Sequence, residues 1–214
     1  MSERAGRPSD LAKREAILDV ASRRFMEDGY AATSIEQIAA DAGVSKVTIY
    51  SHFGDKRGLF TVAVERECEK IRTAFTLDDM PAGSIRERLQ AIGEAIAAFL
   101  SRPEMIRFDR RIAAETEHDP AIGQAFLKAG PWRMKSAFSA FLAHATSAGE
   151  LCISDPDLAA EQFAAMTKGM GDLEQRFGSP RDAETDHRRI AGAVDVFLAA
   201  YAPDGRMKGP GRPR

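Results

Sequence analysis

Along almost all of this chain apolar residues recur every three or four positions, and nowhere do they alternate as a strand requires. Ile17, Val20, Ala21 and Phe25 share one helical face that stops at Gly29. A short helix follows, capped by Thr33 or Ser34, with Ile35, Ile38 and Ala39 inward and Gly43 as its stop. A second short helix spans about Ser45 to Phe53. A longer one starts near Asp55 and turns Leu59, Phe60, Val64, Ile71 and Phe75 inward. The stretch from Leu77 to Gly83, with Pro81 inside it, is the strongest break. Beyond it Ile85, Leu89, Ile92, Ile96 and Phe99 form one stripe, and Met105, Phe108 and Ile112 the next. Gly130-Pro131 separates Ile122–Ala129 from a helix carrying Met134, Phe138, Phe141 and Leu142. Asp155-Pro156 opens a helix with Leu158, Phe163, Met166 and Met170 inward. The last helix, about Asp182 to Tyr201, carries Ile190, Val194, Phe197 and Leu198. The pattern predicts an all-α fold without internal repeats.

Charge decides what such a bundle can meet. The formal net charge is only -2, which argues against a non-specific, architectural DNA binder. The balance is uneven along the chain. No acid occurs from Val44 to Phe53, while Lys46, Lys56 and Arg57 lie in or beside that run. Arg4, Arg7, Lys13 and Arg14 crowd the beginning, and Arg206, Lys208, Arg212 and Arg214 the end. Local basic patches are enough for phosphate contacts, which act at short range under physiological screening.

Within the acid-free run, Val44, Ile49 and Phe53 are the positions on which the second short helix can rest. Ser45, Lys46, Thr48, Tyr50, Ser51 and His52 remain, and every one of them carries a hydrogen-bond donor. Two short helices around a glycine turn can be a plain αα-hairpin. A face so rich in donors and free of carboxylates fits a phosphate-lined groove better. Ala39 and Gly43 are expected to be small because the two helices approach closely there.

The run from Gly29 to Phe60, Gly-Tyr-Ala-Ala-Thr-Ser-Ile-Glu-Gln-Ile-Ala-Ala-Asp-Ala-Gly-Val-Ser-Lys-Val-Thr-Ile-Tyr-Ser-His-Phe-Gly-Asp-Lys-Arg-Gly-Leu-Phe, resembles the signature of the TetR family of repressors. The resemblance implies a three-helix DNA-binding domain joined by a long fourth helix to a larger helical ligand-binding and dimerisation domain. It implies a homodimer that sets two recognition helices in successive major grooves of a palindromic operator in double-stranded DNA, released by a small-molecule inducer. Carried across by position, Thr33 caps the second helix and touches a phosphate. Ser45, Thr48, Tyr50 and His52 make phosphate contacts, Lys46 and Val47 reach base edges, and Lys56 grips the backbone. Val47 and Ser51 depart from the commoner residues, so the operator sequence does not carry over. The expected organisation is an arm over 1–8, a DNA-binding domain over 9–55 with its motif at about 34–53, a connecting helix over 56–76, a regulatory domain over 84–203 and a basic tail over 204–214.

The stretch from Phe108 to Gly178 is similar to the regulatory half of AefR-like and AcrR-like members. Phe99, Phe108, Trp132, Phe138, Met166 and Met170 are the candidates for an apolar or aromatic inducer pocket, weighed against ordinary core. Phe163, Met166, Val194, Phe197 and Leu198 are the candidates for a dimer interface. Arg7, in Gly-Arg-Pro at 6–8, resembles a minor-groove arm, whereas the similar C-terminal tail reads as a solvated end. His118, His144 and His187 lack metal-ligand spacing, and Cys68 and Cys152 form no CxxC pair, so no metal or cofactor is expected. No phosphate-cradling glycine loop, nucleophile elbow or paired carboxylates mark an enzyme; Asp109, Glu115 and Glu117 read as a solvated helix face. Without an apolar signal or membrane-spanning stretch, the expected location is cytoplasmic.

Overall fold

The computed structural model describes residues 10–72, 83–180 and 182–203, and all secondary structure among them is helical. Ten helices follow in order: α1 Asp10–Asp28, α2 Ile35–Asp41, α3 Lys46–Phe53, α4 Lys56–Arg72, α5 Ile85–Leu100, α6 Pro103–Thr116, α7 Pro120–Ala129, α8 Pro131–Ser147, α9 Pro156–Arg176 and α10 Ala183–Tyr201. None of the described helices is long and apolar enough to cross a membrane. Ile71 lies where no side chain is described; Arg7, Phe75 and the basic tail lie outside the described residues.

The chain forms two compact units. The first takes residues up to Cys68 and returns for Arg107–Gly130; the second takes Glu69–Ile106 and everything from Pro131. In the first unit, α1 buries Ile17, Leu18, Val20, Ala21 and Phe25, and α2 buries Ile35, Ile38 and Ala39 against it. Ser34 caps α2, settling the choice left open with Thr33. Its Oγ accepts from Gln37 N–H at 3.2 Å, while Gln37 Oε1 accepts from Ser34 N–H at 2.9 Å. Ser45 caps α3 by accepting from Thr48 N–H at 3.1 Å. Gly43, between them, has φ +65° and nothing near its absent side chain. It is therefore glycine for its left-handed backbone, not because the helices crowd it.

One aromatic core joins this head to the returning segment. Phe60 meets Phe25 at 5.3 Å between ring centroids, Tyr30 at 5.1 Å and Phe108 at 6.1 Å, and Phe108 meets Phe126 of α7 at 5.7 Å. The head thus recruits apolar rings from residues far along the chain, each buried ring contributing about 1.5–3 kcal/mol.

The second unit is a bundle in which α9 packs on α8, α10 and α5, and α10 on α5. Phe138, Phe163 and Phe197 interlock at its centre, with centroids 5.1 and 5.2 Å apart. Asp155 and Asp182 cap α9 and α10, and α9 is broken at Gly169, where φ is 49°.

Candidate nucleic-acid interface

Helix α3 rests on two buried side chains, Ile49 and Phe53. Eight residues with two anchors leave the rest of the helix outward. Val47 is 76% exposed and Tyr50 46% exposed, and Ser45, Lys46 and Ser51 are exposed as well. Thr48 is half-buried, its Oγ1 2.9 Å from Ser45 Oγ. Ser51 Oγ donates to Thr48 O at 2.8 Å. Lys46 does not stand alone: its Nζ donates at 2.8 Å to Glu36 Oε1 in the first turn of α2. Each partner stabilises the other's charge, so Lys46 is raised and Glu36 lowered from their ordinary pKa values.

Two expected contacts are placed differently. Thr33 has no exposed surface, and its hydroxyl donates at 2.7 Å to Gly29 O. It fastens the α1–α2 turn from inside, with no face to offer a phosphate. The His52 side chain is only 13% exposed, with Nε2 3.2 Å from Asp10 Oδ1. It lies against the start of α1 instead of pointing outward from α3.

Lys56 is half-buried at the start of α4, with Nζ 4.4 Å from the Tyr30 ring centroid. Burial pushes its pKa down, and the Glu115 carboxylate opposes this. Lys56 Nζ donates to Ala31 O at 3.3 Å, and Glu115 Oε2 accepts from Ala31 N–H at 3.1 Å. One peptide is therefore held from both sides. Gly29, two residues earlier, has φ +90°, and a side chain there would come within 2.8 Å of Glu115 Oε1. Glu115 is accordingly no member of a solvated face. Its partner is 84 residues away in the sequence, and no local pattern signals such a contact.

The other candidate residues divide between the units. Phe108 is buried in the first; Phe99, Trp132, Phe138, Met166 and Met170 belong to the second. Phe99 and Phe138 are buried, Trp132 is 48% exposed and Met170 62% exposed. Phe163 and Val194, expected at an interface, have no exposed surface, and Phe197 almost none. The 3.6-residue period that marked them identifies the inside of their own bundle. Met166 and Leu198 are half-buried. An open apolar groove of about 370 Å³ runs between α9 and α10, lined by Gln162, Ala165, Met166, Val196, Phe197, Ala200 and Tyr201. Met170, Leu173, Phe177 and the groove residue Val196 are exposed; Met170 and Leu158, which the helical period places on the inward stripe, are thus at the surface instead.

Comparison with known proteins agrees with this geometry. Residues 17–63 match the family described as bacterial regulatory proteins, tetR family, and residues 87–203 match the AefR-like transcriptional repressor, C-terminal domain. An uncharacterised HTH-type transcriptional regulator of Bacillus subtilis, YezE, is 29% identical over 187 residues, covering 86% of this chain and 93% of that protein. A TetR-family regulator from Mesorhizobium loti has a TM-score of 0.76 at 29% identity, covering 92% of this chain and 100% of its own. The flavonoid-responsive regulator FrrA has a TM-score of 0.71 at 30% identity, covering 89% of this chain and 97% of that structure.

Proposed function

The chain belongs to the TetR family of helix-turn-helix transcriptional regulators, with an AefR-like C-terminal domain, and from this we propose that it is a homodimeric repressor released from a palindromic operator by a small aromatic ligand. The observation that carries the DNA part is the outward face of α3, which combines Ser45, Lys46, Val47, Tyr50 and Ser51 with no acid of its own. Hydroxyls and the Lys56 ammonium suit phosphates, and Val47 suits a thymine methyl in the major groove. The recognition helices of a dimer then sit one helical turn of DNA apart, about 34–36 Å.

The apolar groove between α9 and α10 supports the dimer. Exposed Met170, Leu173, Phe177 and Val196 form a surface that water does not favour and that a second copy would cover. Ligand response draws on the second unit's aromatic residues and on the likeness to FrrA, a flavonoid-responsive regulator. Arg102, whose guanidinium lies 4.3 Å from the Phe99 ring centroid, has Nε 3.6 Å from Glu104 Oε1 and Nη2 buried without a hydrogen-bond partner. An aromatic compound bearing an acceptor oxygen would satisfy Nη2.

A two-plasmid reporter tests the reading. The DNA upstream of the chain's own gene is placed before a reporter and the protein is expressed in trans. Repression that an aromatic compound relieves is expected. Reporter activation by the protein, or no response to its expression, would overturn the repressor assignment.

A further inference from the structure

Lys46 is the one lysine on α3, which has no arginine, yet in the free protein its ammonium is held by Glu36 of α2 at 2.8 Å. Both side chains remain more than half exposed, Lys46 53% and Glu36 63%. The contact therefore lies on the surface and is solvated, where it adds little to stability. A carboxylate on the side of a head that meets DNA repels phosphates, so its position calls for another explanation. Paired with Lys46, it makes a unit of zero net charge that contributes little to counterion release and hence little to sequence-independent affinity. The pair nevertheless presents two different hydrogen-bonding edges. The ammonium keeps donors beyond the one Glu36 accepts, and the carboxylate keeps lone pairs beyond those facing Lys46. In the major groove a G·C pair offers the reciprocal set: O6 and N7 of guanine accept, and the N4 amino group of cytosine donates.

We propose that Glu36 is a specificity-determining residue that, together with Lys46, reads one G·C base pair in each half-site. This rests on the reading of α3 as the helix that enters the groove. Glu36 fixes the direction of the Lys46 ammonium before binding, so less side-chain freedom is lost when guanine is met. Its carboxylate also accepts from the cytosine amino group as an ionised acceptor, where α3 itself offers only neutral hydroxyl oxygens, since it carries no carboxylate. An A·T pair with adenine in guanine's place sets its N6 amino group against the ammonium and thymine O4 against the carboxylate, leaving both unpaired, whereas thymine in guanine's place keeps both bonds and differs only by the methyl group that replaces N7. Such mispairing gives a factor of about 5 to 150 for a good base contact.

The experiment selects binding sites from random duplex DNA with the full-length wild-type protein, Glu36→Gln and Lys46→Ala, followed by affinity measurements on the selected duplex. Wild-type protein is expected to enrich a palindrome with a G·C pair at one position per half-site that is degenerate in the Glu36→Gln selection. Replacing that guanine by adenine, and its cytosine by thymine, in one half-site should weaken wild-type binding about 5- to 150-fold and Glu36→Gln binding by less than twofold. Glu36→Gln should also bind random-sequence duplex more tightly and with a steeper salt dependence, by about one phosphate per chain, because Lys46 is freed from its partner. A purely structural role for Glu36, as the acid in the first turn of α2, would lower the melting temperature and weaken all duplexes alike. If wild type and Glu36→Gln enrich the same sequence with the same preference at every position, the proposal is overturned. If the wild-type protein enriches no sequence, it is the DNA-binding assignment itself that fails.

Discussion

The outward surface of α3 and the outward surface of α9 and α10 differ in the kind of partner each suits. On α3 two buried anchors, Ile49 and Phe53, carry hydroxyls, a lysine and a single exposed valine. On α9 and α10 a full bundle core lies beneath exposed Met170, Leu173, Phe177 and Val196. A solvated donor face loses little by staying in water and gains strongly from a polyanion. An apolar face loses by staying in water and gains from a second apolar face. Exposure alone does not mark a functional surface. What is exposed, and what holds it up, does.

The comparison breaks most visibly if the support under either surface is removed. Phe163 touches Phe138 and Phe197 with no exposed surface. Phe163→Ala should therefore cost about 3–5 kcal/mol, seen as a large fall in denaturation midpoint. A loss below 1 kcal/mol would mean that the second unit is not packed as described. Val196→Glu should act differently, since Val196 is 59% exposed. It should leave the fold within about 0.5 kcal/mol while sedimentation reports single chains of 23.3 kDa. An unchanged dimer would remove α10 from the interface.

Lys56→Ala should have a smaller effect, removing one phosphate-contacting charge and also the bond to Ala31 O. Affinity is expected to fall for all sequences alike, with the salt slope flattened by about one phosphate per chain. A change in preferred sequence would instead place Lys56 among the base-reading residues. Glu115→Gln should have the smallest effect. It weakens one acceptor on the Ala31 peptide, worth about 1 kcal/mol, and operator affinity should drop about fivefold with no shift in base preference. An unaltered affinity would show that holding the α1–α2 turn is irrelevant to binding.

Much of this was legible in the sequence because it is local. Helical period, the stops at Gly29 and Gly43, and the cap at Asp155 depend on residues within a few positions of one another. The donor-rich composition of α3 is equally local. What escaped is non-local or turned the other way. Glu36 and Lys46 are ten residues apart on different helices, and Glu115 meets Ala31 across 84. Thr33 is polar and stands beside a cap, so it reads as exposed, although its hydroxyl is spent inside the turn. Phe163 and Val194 were singled out as interface residues because periodicity finds the strongest apolar stripe. That stripe faces the subunit's own core, whereas Met170, Leu173, Phe177 and Val196 are exposed.

The central claim is that the α3 face reads sequence on duplex DNA, and one ratio tests it most directly. The wild-type protein's affinity for a selected palindromic duplex is compared with its affinity for a scrambled duplex of equal length, both at about 0.15 M salt. The wild-type protein is expected to prefer the palindromic duplex at least about a thousandfold. Equal affinity for the two duplexes would contradict it.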